Sequence, residues 1–130
     1  MGELRTVHTA DAPEAIGPYS QAIVTEGWIF VSGQIPIDPA TGELVAGDIG
    51  VQANRVLENV RAVVETAGGA MESVVKTTVY LDDMDNFGRV NEIYARHFGE
   101  ARPARATIEA GGLPRGVAVE IDVIARVIEG

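Results

Sequence analysis

Cysteine is absent from all 130 residues, which excludes disulfides, thiolate nucleophiles and cysteine-ligated zinc together. Long apolar runs are missing too. No segment approaches the length of a membrane span, and the N-terminal "MGELRTVHTA" lacks the apolar core of an export signal. These absences point to a soluble, cytoplasmic protein with no membrane partner. Basic residues are scarce: 10 Lys and Arg stand against 19 Asp and Glu, for a net charge of −9. Such a field repels phosphate backbones, which argues against nucleic acid as a partner. Repeats, low-complexity tracts and composition shifts are lacking as well. Residues 1–130 therefore read as one domain, able to bury roughly two thirds of its unfolded surface.

What is present is alternation and helical periodicity. "LRTVHT" predicts a first strand, and "AIVTEGWIFVSGQI" a hairpin turning at Glu26 and Gly27. "DPATGE" predicts a second turn. Ile49, Ala53, Val56, Val60, Val63 and Ala67 recur every three or four residues, which predicts a helix over 48–67 stopped by Gly68 and Gly69. "SVVKTTVYL" is the next strand, and "DDMDNFGRVNEIYARHFG" a second helix with Phe87, Val90, Tyr94 and Phe98 on one side. Strands over 104–110 and 117–128 complete an α+β chain of order β-β-β-α-β-α-β-β. The strand–helix–strand unit implies one parallel pair by a right-handed crossover. Two helices cover only one face of this mixed sheet.

The other face poses a question. In the last strand Val117, Val119, Ile121, Val123, Ala125 and Val127 belong under the helices. The opposite set contains Glu120, Asp122, Ile124, Arg126 and Ile128, and Trp28, Phe30 and Ser32 share a face in their own strand. A bare face this apolar predicts a homo-oligomer. In the strand over 104–110, alternation predicts Ala106 and Ile108 under the helices, with Arg105, Thr107 and Glu109 outward. If "GGLPRG" closes a hairpin, Arg105 pairs with Asp122 and Thr107 with Glu120. Arg105 and Glu120 then become diagonal neighbours on the interface side. A cross-strand Arg–carboxylate pair is equally a plain sheet contact of about 0.2–1 kcal/mol. The company of two carboxylates, a threonine and a loop tyrosine favours a pocket in which Arg105 takes a small carboxylate.

Several stretches carry a resemblance: "AIGPYSQA" (15–22), "VSGQIPIDPATGEL" (31–44), "NVRAVVETAGG" (59–69), "VVKTTVYLDDMDNF" (74–87), "VNEIYARHF" (90–98) and "PARATIEAGGLPRGVAVEI" (103–121). Together they resemble the RidA/YjgF family of reactive-intermediate (enamine/imine) deaminases. The resemblance implies a chorismate-mutase-like fold and homotrimers with inter-subunit pockets. It also implies hydrolysis of 2-imino acids such as 2-iminobutanoate and 2-iminopropanoate to 2-oxo acids and ammonia, with no metal and no cofactor. By its motif Arg105 clamps the substrate carboxylate, Glu120 positions or activates water, and Tyr19 closes the pocket. Ser32 and Asn91 match binding positions, and Thr107 matches one whose backbone carbonyl is implicated. Arg102 and Gly111–Gly112 depart from the family pattern at the pocket rim and bear on substrate range.

Two other readings use the same residues. A trimeric 2-oxo-acid sensor or chaperone-like binder needs Arg105 alone, and an endoribonuclease is disfavoured by the charge. His97, in the last helical turn, reads as structural. His8 has no recognisable partner in the sequence, Asp82–Asp85 reads as helix-start carboxylates rather than a cation loop, and Tyr80 and Tyr94 read as packing residues.

Overall fold

The computed structural model describes residues 2–128. Strands β1 (Arg5–Val7), β2 (Ala22–Thr25) and β3 (Trp28–Gln34) form an antiparallel meander. Glu26 and Gly27 turn the β2–β3 hairpin with φ of 51° and 81°, the two left-handed residues that a type I′ turn requires. Where the sequence predicts only a turn, a two-stranded ribbon forms from β4 (Ile37–Asp38) and β5 (Glu43–Leu44). Helix α1 (Ile49–Thr66) starts where Asp48 accepts a hydrogen bond from the Val51 amide at 3.1 Å, the expected N-cap. It ends at Ala67, before Gly68 with φ of 101°.

Strand β6 (Val74–Leu81), helix α2 (Phe87–Phe98), strand β7 (Ala104–Glu109) and strand β8 (Val119–Arg126) complete the fold. The six-stranded sheet runs β1-β2-β3-β8-β6-β7, and only β6–β7 is parallel. Both helices lie on one face. There Val56, Leu57, Val60 and Val63 of α1, with Val90, Ile93 and Phe98 of α2, bury against Ile29, Val79, Val119 and Ile121. Each such side chain contributes roughly 1.5–3 kcal/mol by leaving water. The predicted element order and the one-sided helix layer are therefore what the chain forms.

The predicted hairpin between the last two strands does not form. β6 lies between them: Arg105 pairs with Thr77, Thr77 with Val123, and Glu120 with Tyr80. The crossover through α2 commits β7 to the outer edge of β6. The fully apolar side of β8 fits the sheet centre, between β3 and β6. The connection passes across the end of β6, where the Ala110 amide donates to the Leu81 carbonyl at 2.7 Å and the Asp82 amide to the Ala118 carbonyl at 3.1 Å.

The faces of β7 are also the reverse of the alternation reading. Arg105 and Thr107 share the side of Thr77 and Val79, under the helices, whereas Ala106 and Ile108 sit beside Thr78 and Tyr80 on the bare face. At a thinly covered edge burial does not dictate alternation, and Ile108 is 48% exposed. The bare face is as apolar as expected: Phe30, Trp28 and Ile128 are also exposed on or beside it.

Candidate functional site

The first depression grows from an irregularity in β3. Val31 pairs with Val123 but Gln34 with Ile121, so β3 carries one extra residue at Ser32–Gly33. Such a bulge re-aims side chains at a sheet end. A Cβ on Gly33 would overlap Oε2 of Glu120; the bare glycine makes the seat for that carboxyl. A cavity of about 500 Å³ opens there, lined by Tyr19, Gln21, Ser32, Gly33, Gln34, Pro114 and Glu120 among others. Half-buried Glu120 has its pKa raised, first by burial and then by the negative charge of Asp122. Asp122 is itself held by the Tyr80 hydroxyl, which donates to Oδ2 at 2.9 Å.

The wall of this cavity is pinned from behind. Ser32 Oγ donates to the Ser20 carbonyl at 2.5 Å, so within the cavity its lone pairs remain to accept. Gln21 is 2% exposed. Its amide donates to the carbonyls of Thr9 at 3.0 Å and Pro13 at 2.8 Å, and its Oε1 accepts from the Thr9 amide at 2.7 Å. These bonds fix the loop on which Tyr19 sits, 55% exposed at the mouth.

The second depression, about 480 Å³, lies against α2 and is lined by Asn91, Tyr94, Phe98, Arg102, Pro103 and Arg105. Arg105 donates to Asn91 Oδ1 at 2.7 Å. Its guanidinium carbon stands 4.7 Å from the Tyr94 ring centre and 5.5 Å from that of Phe87, the stacked geometry of a cation over aromatic faces. Tyr94 is locked in turn by a buried 2.8 Å hydrogen bond with the Thr77 hydroxyl, and burial pushes its phenol pKa up. No carboxylate of the described residues forms an ion pair with Arg105. The guanidinium is thus held flat by neutral groups, with charge left to receive an anion.

The fold brings Tyr19, Ser32 and Glu120 together, and Asn91 with Arg105, but it keeps the two groups apart. Arg105 and Glu120 are not diagonal neighbours: they occupy different faces of the sheet on strands separated by β6. Thr107 lines neither depression. Sequence reasoning passed over Gln21 and Gly33. A glycine inside a strand signals a bulge or a close approach, and that signal points straight to Gly33. Gln21 gives none, because a buried amide matches no periodicity.

Other polar residues take local roles. His8 Nε2 meets Glu14 Oε1 at 3.1 Å. His97 Nε2 lies 2.7 Å from Asn54 Oδ1, tying α2 to α1, and burial lowers its pKa. Asp83 accepts from the Asp85 amide at 2.8 Å in the turn before α2. No helix is long and apolar enough to cross a membrane among the described residues.

The family model described as Endoribonuclease L-PSP matches residues 9–127. The human protein named 2-iminobutanoate/2-iminopropanoate deaminase is 45% identical over 121 residues, covering 93% of this chain and 88% of its own. A crystal structure from Thermotoga maritima superposes with a TM-score of 0.93 at 56% identity, covering 97% of this chain and 98% of that one. The structure of E. coli TdcF with bound serine superposes with a TM-score of 0.91 at 39% identity, covering 95% and 99%.

Proposed function

The chain belongs to the Endoribonuclease L-PSP family, the RidA/YjgF family it resembles in sequence, and from that premise we propose that it hydrolyses 2-imino acids. The substrates are 2-iminobutanoate and 2-iminopropanoate, and the products are 2-oxo acids and ammonia. The proposed enzyme is a cytoplasmic homotrimer whose pockets lie between subunits, Arg105 of one chain facing the Glu120 cavity of its neighbour. One observation carries this reading: each depression of the single chain is half a site. Among the described residues, the Arg105 side is lined by an anion clamp and no carboxylate, and the Glu120 side by Glu14 and Glu120 and no cation. The apolar bare face gives the subunits a reason to meet.

The chemistry asks little of the protein. A protonated imine carbon is already electrophilic, so orientation and one mobile proton suffice. Arg105 holds the substrate carboxylate, supported by Asn91. Glu120 takes a proton from water as its oxygen bonds to the imine carbon, giving a carbinolamine. That proton passes to nitrogen, and Glu120 then takes the hydroxyl proton as the C=O bond forms, the C–N bond breaks and ammonia leaves. A carboxyl whose affinity for protons is raised suits both steps. Tyr19 shields the mouth, Ser32 accepts from the substrate, and the Thr107 backbone contributes from the strand beside Arg105.

The test is ammonia release from freshly generated 2-iminobutanoate, measured against the spontaneous rate. Arg105→Ala is expected to lose about 100-fold or more in kcat/KM with the oligomer intact; full activity in that variant removes its role. The bound serine of the E. coli relative favours a second reading, a binder of small amino or oxo acids. A parent protein that binds 2-oxobutanoate but does not exceed the spontaneous rate decides for that reading.

A further inference from the structure

The Arg105 depression holds more positive charge than a monocarboxylate needs. Arg102 lines the same cavity of about 480 Å³. The chain has 19 Asp and Glu, yet among the described residues none lines this cavity. Of the arginines among the described residues, Arg55 pairs with Glu58 and Arg89 with Glu92, each at 3.2 Å. Among the described residues Arg102 takes part in no ion pair.

Its placement is constrained by its neighbour. Arg102 precedes Pro103, and a residue before proline is driven to extended backbone, so its side chain starts from a restricted direction. Two guanidiniums sharing one cavity repel each other unless an anion is bound between or beside them. A 2-imino acid with an apolar side chain supplies one carboxylate, which Arg105 takes. The second cation then has no carboxylate from its own chain's cavity lining. A ligand with carboxylates at both ends satisfies both, and guanidinium forks suit carboxylates. Asn91, Tyr94 and Phe98 supply neutral walls between. The volume lies in the range of small-ligand sites.

We propose that Arg102 is a specificity-determining residue that extends the site to 2-imino and 2-oxo dicarboxylates. The inference rests on the reading of Arg105 as the carboxylate clamp; Arg102 holds the distal carboxylate.

The test uses the full chain, with 2-oxoglutarate and 2-oxobutanoate as calorimetric probes in matched low-salt buffer. The parent is expected to bind 2-oxoglutarate about five- to tenfold more tightly. In Arg102→Gln that ratio falls to near one. Arg96→Gln removes the same charge from the outer part of α2, away from the cavity lining, and keeps the parent ratio. No preference in the parent, a preference surviving in Arg102→Gln, an equal loss in Arg96→Gln, or binding of neither acid overturns the proposal. Hydrolysis of 2-iminobutanoate is followed on the same samples. Its absence overturns the deaminase reading alone, because the binding ratio judges Arg102 without turnover.

Discussion

At the scale of single residues the site turns on what lies beside one carboxyl. Burial and Asp122 both raise the Glu120 pKa within the chain, whereas an Arg105 arriving from a neighbour would lower it. Removing Arg105 isolates the first effect. In an Arg105→Ala background the ionised Glu120 is disfavoured by the fold. Its contribution to stability is whole below the ordinary carboxylate range and is lost as pH rises through the raised value. Glu120→Gln does not titrate. The double variant should therefore melt above the Arg105→Ala single variant at pH 7, and the gap should close by about pH 4. Thermal midpoints at the two pH values check the sign; a gap that widens on acidification refutes the burial argument. Gly33 offers a second lever. Its backbone is not in the left-handed region, so alanine fits the chain conformation, but its Cβ would displace the Glu120 carboxyl. Gly33→Ala should lower kcat/KM for 2-iminobutanoate about tenfold or more while far-UV circular dichroism stays that of the parent.

At the scale of elements, local signals act over a few residues and long-range choices do not. Helix α1 was legible almost to the residue because its apolar spacing, the Asp48 cap and Gly68 are all local. Asp48→Ala should cost about 1 kcal/mol and Leu57→Ala about 2–5 kcal/mol. Both are read from urea unfolding at fixed protein concentration. The Glu26–Gly27 turn was legible for the same reason. The pairing of β7 was not. Strands adjacent in sequence commonly pair, and "GGLPRG" has the composition of a hairpin turn, yet the β6–α2–β7 crossover had already claimed that edge. Residue identity in β7 could not reveal this, since Ala104, Ala106 and Ile108 are apolar and exposed alike. The error carried into the site: it set Arg105 against Glu120 in one chain, where the fold keeps them on separate faces. The bulge at Ser32–Gly33 had a local sign in its glycine, but its consequence, the seat for Glu120, appears only when β8 lies alongside.

At the scale of the whole molecule, that separation becomes the sharpest test of how active sites assemble. Arg105 and Glu120 are both expected to be indispensable, and among the described residues each lines a cavity that the other does not. If each site draws Arg105 from one subunit and Glu120 from the next, two inactive variants can complement each other. In a ring of randomly mixed Arg105→Ala and Glu120→Gln subunits, a site is whole when its arginine comes from the second variant and its glutamate from the first. For equal amounts that holds at about a quarter of the sites. Co-expression of the two, with ammonia release from 2-iminobutanoate as the readout, should therefore restore about a quarter of the parent rate. Each variant expressed alone should stay near the spontaneous rate. The same experiment with Phe30→Glu added to both variants charges the bare sheet face, where Phe30 is 45% exposed. Burying an unpaired charge in an interface is costly, so assembly and complementation should vanish together. Restoration that persists after Phe30→Glu has abolished assembly would refute the bare face as the contact through which the sites are completed. No restoration by assembled mixtures, with each variant still inactive alone, would show that the pocket is not shared between subunits.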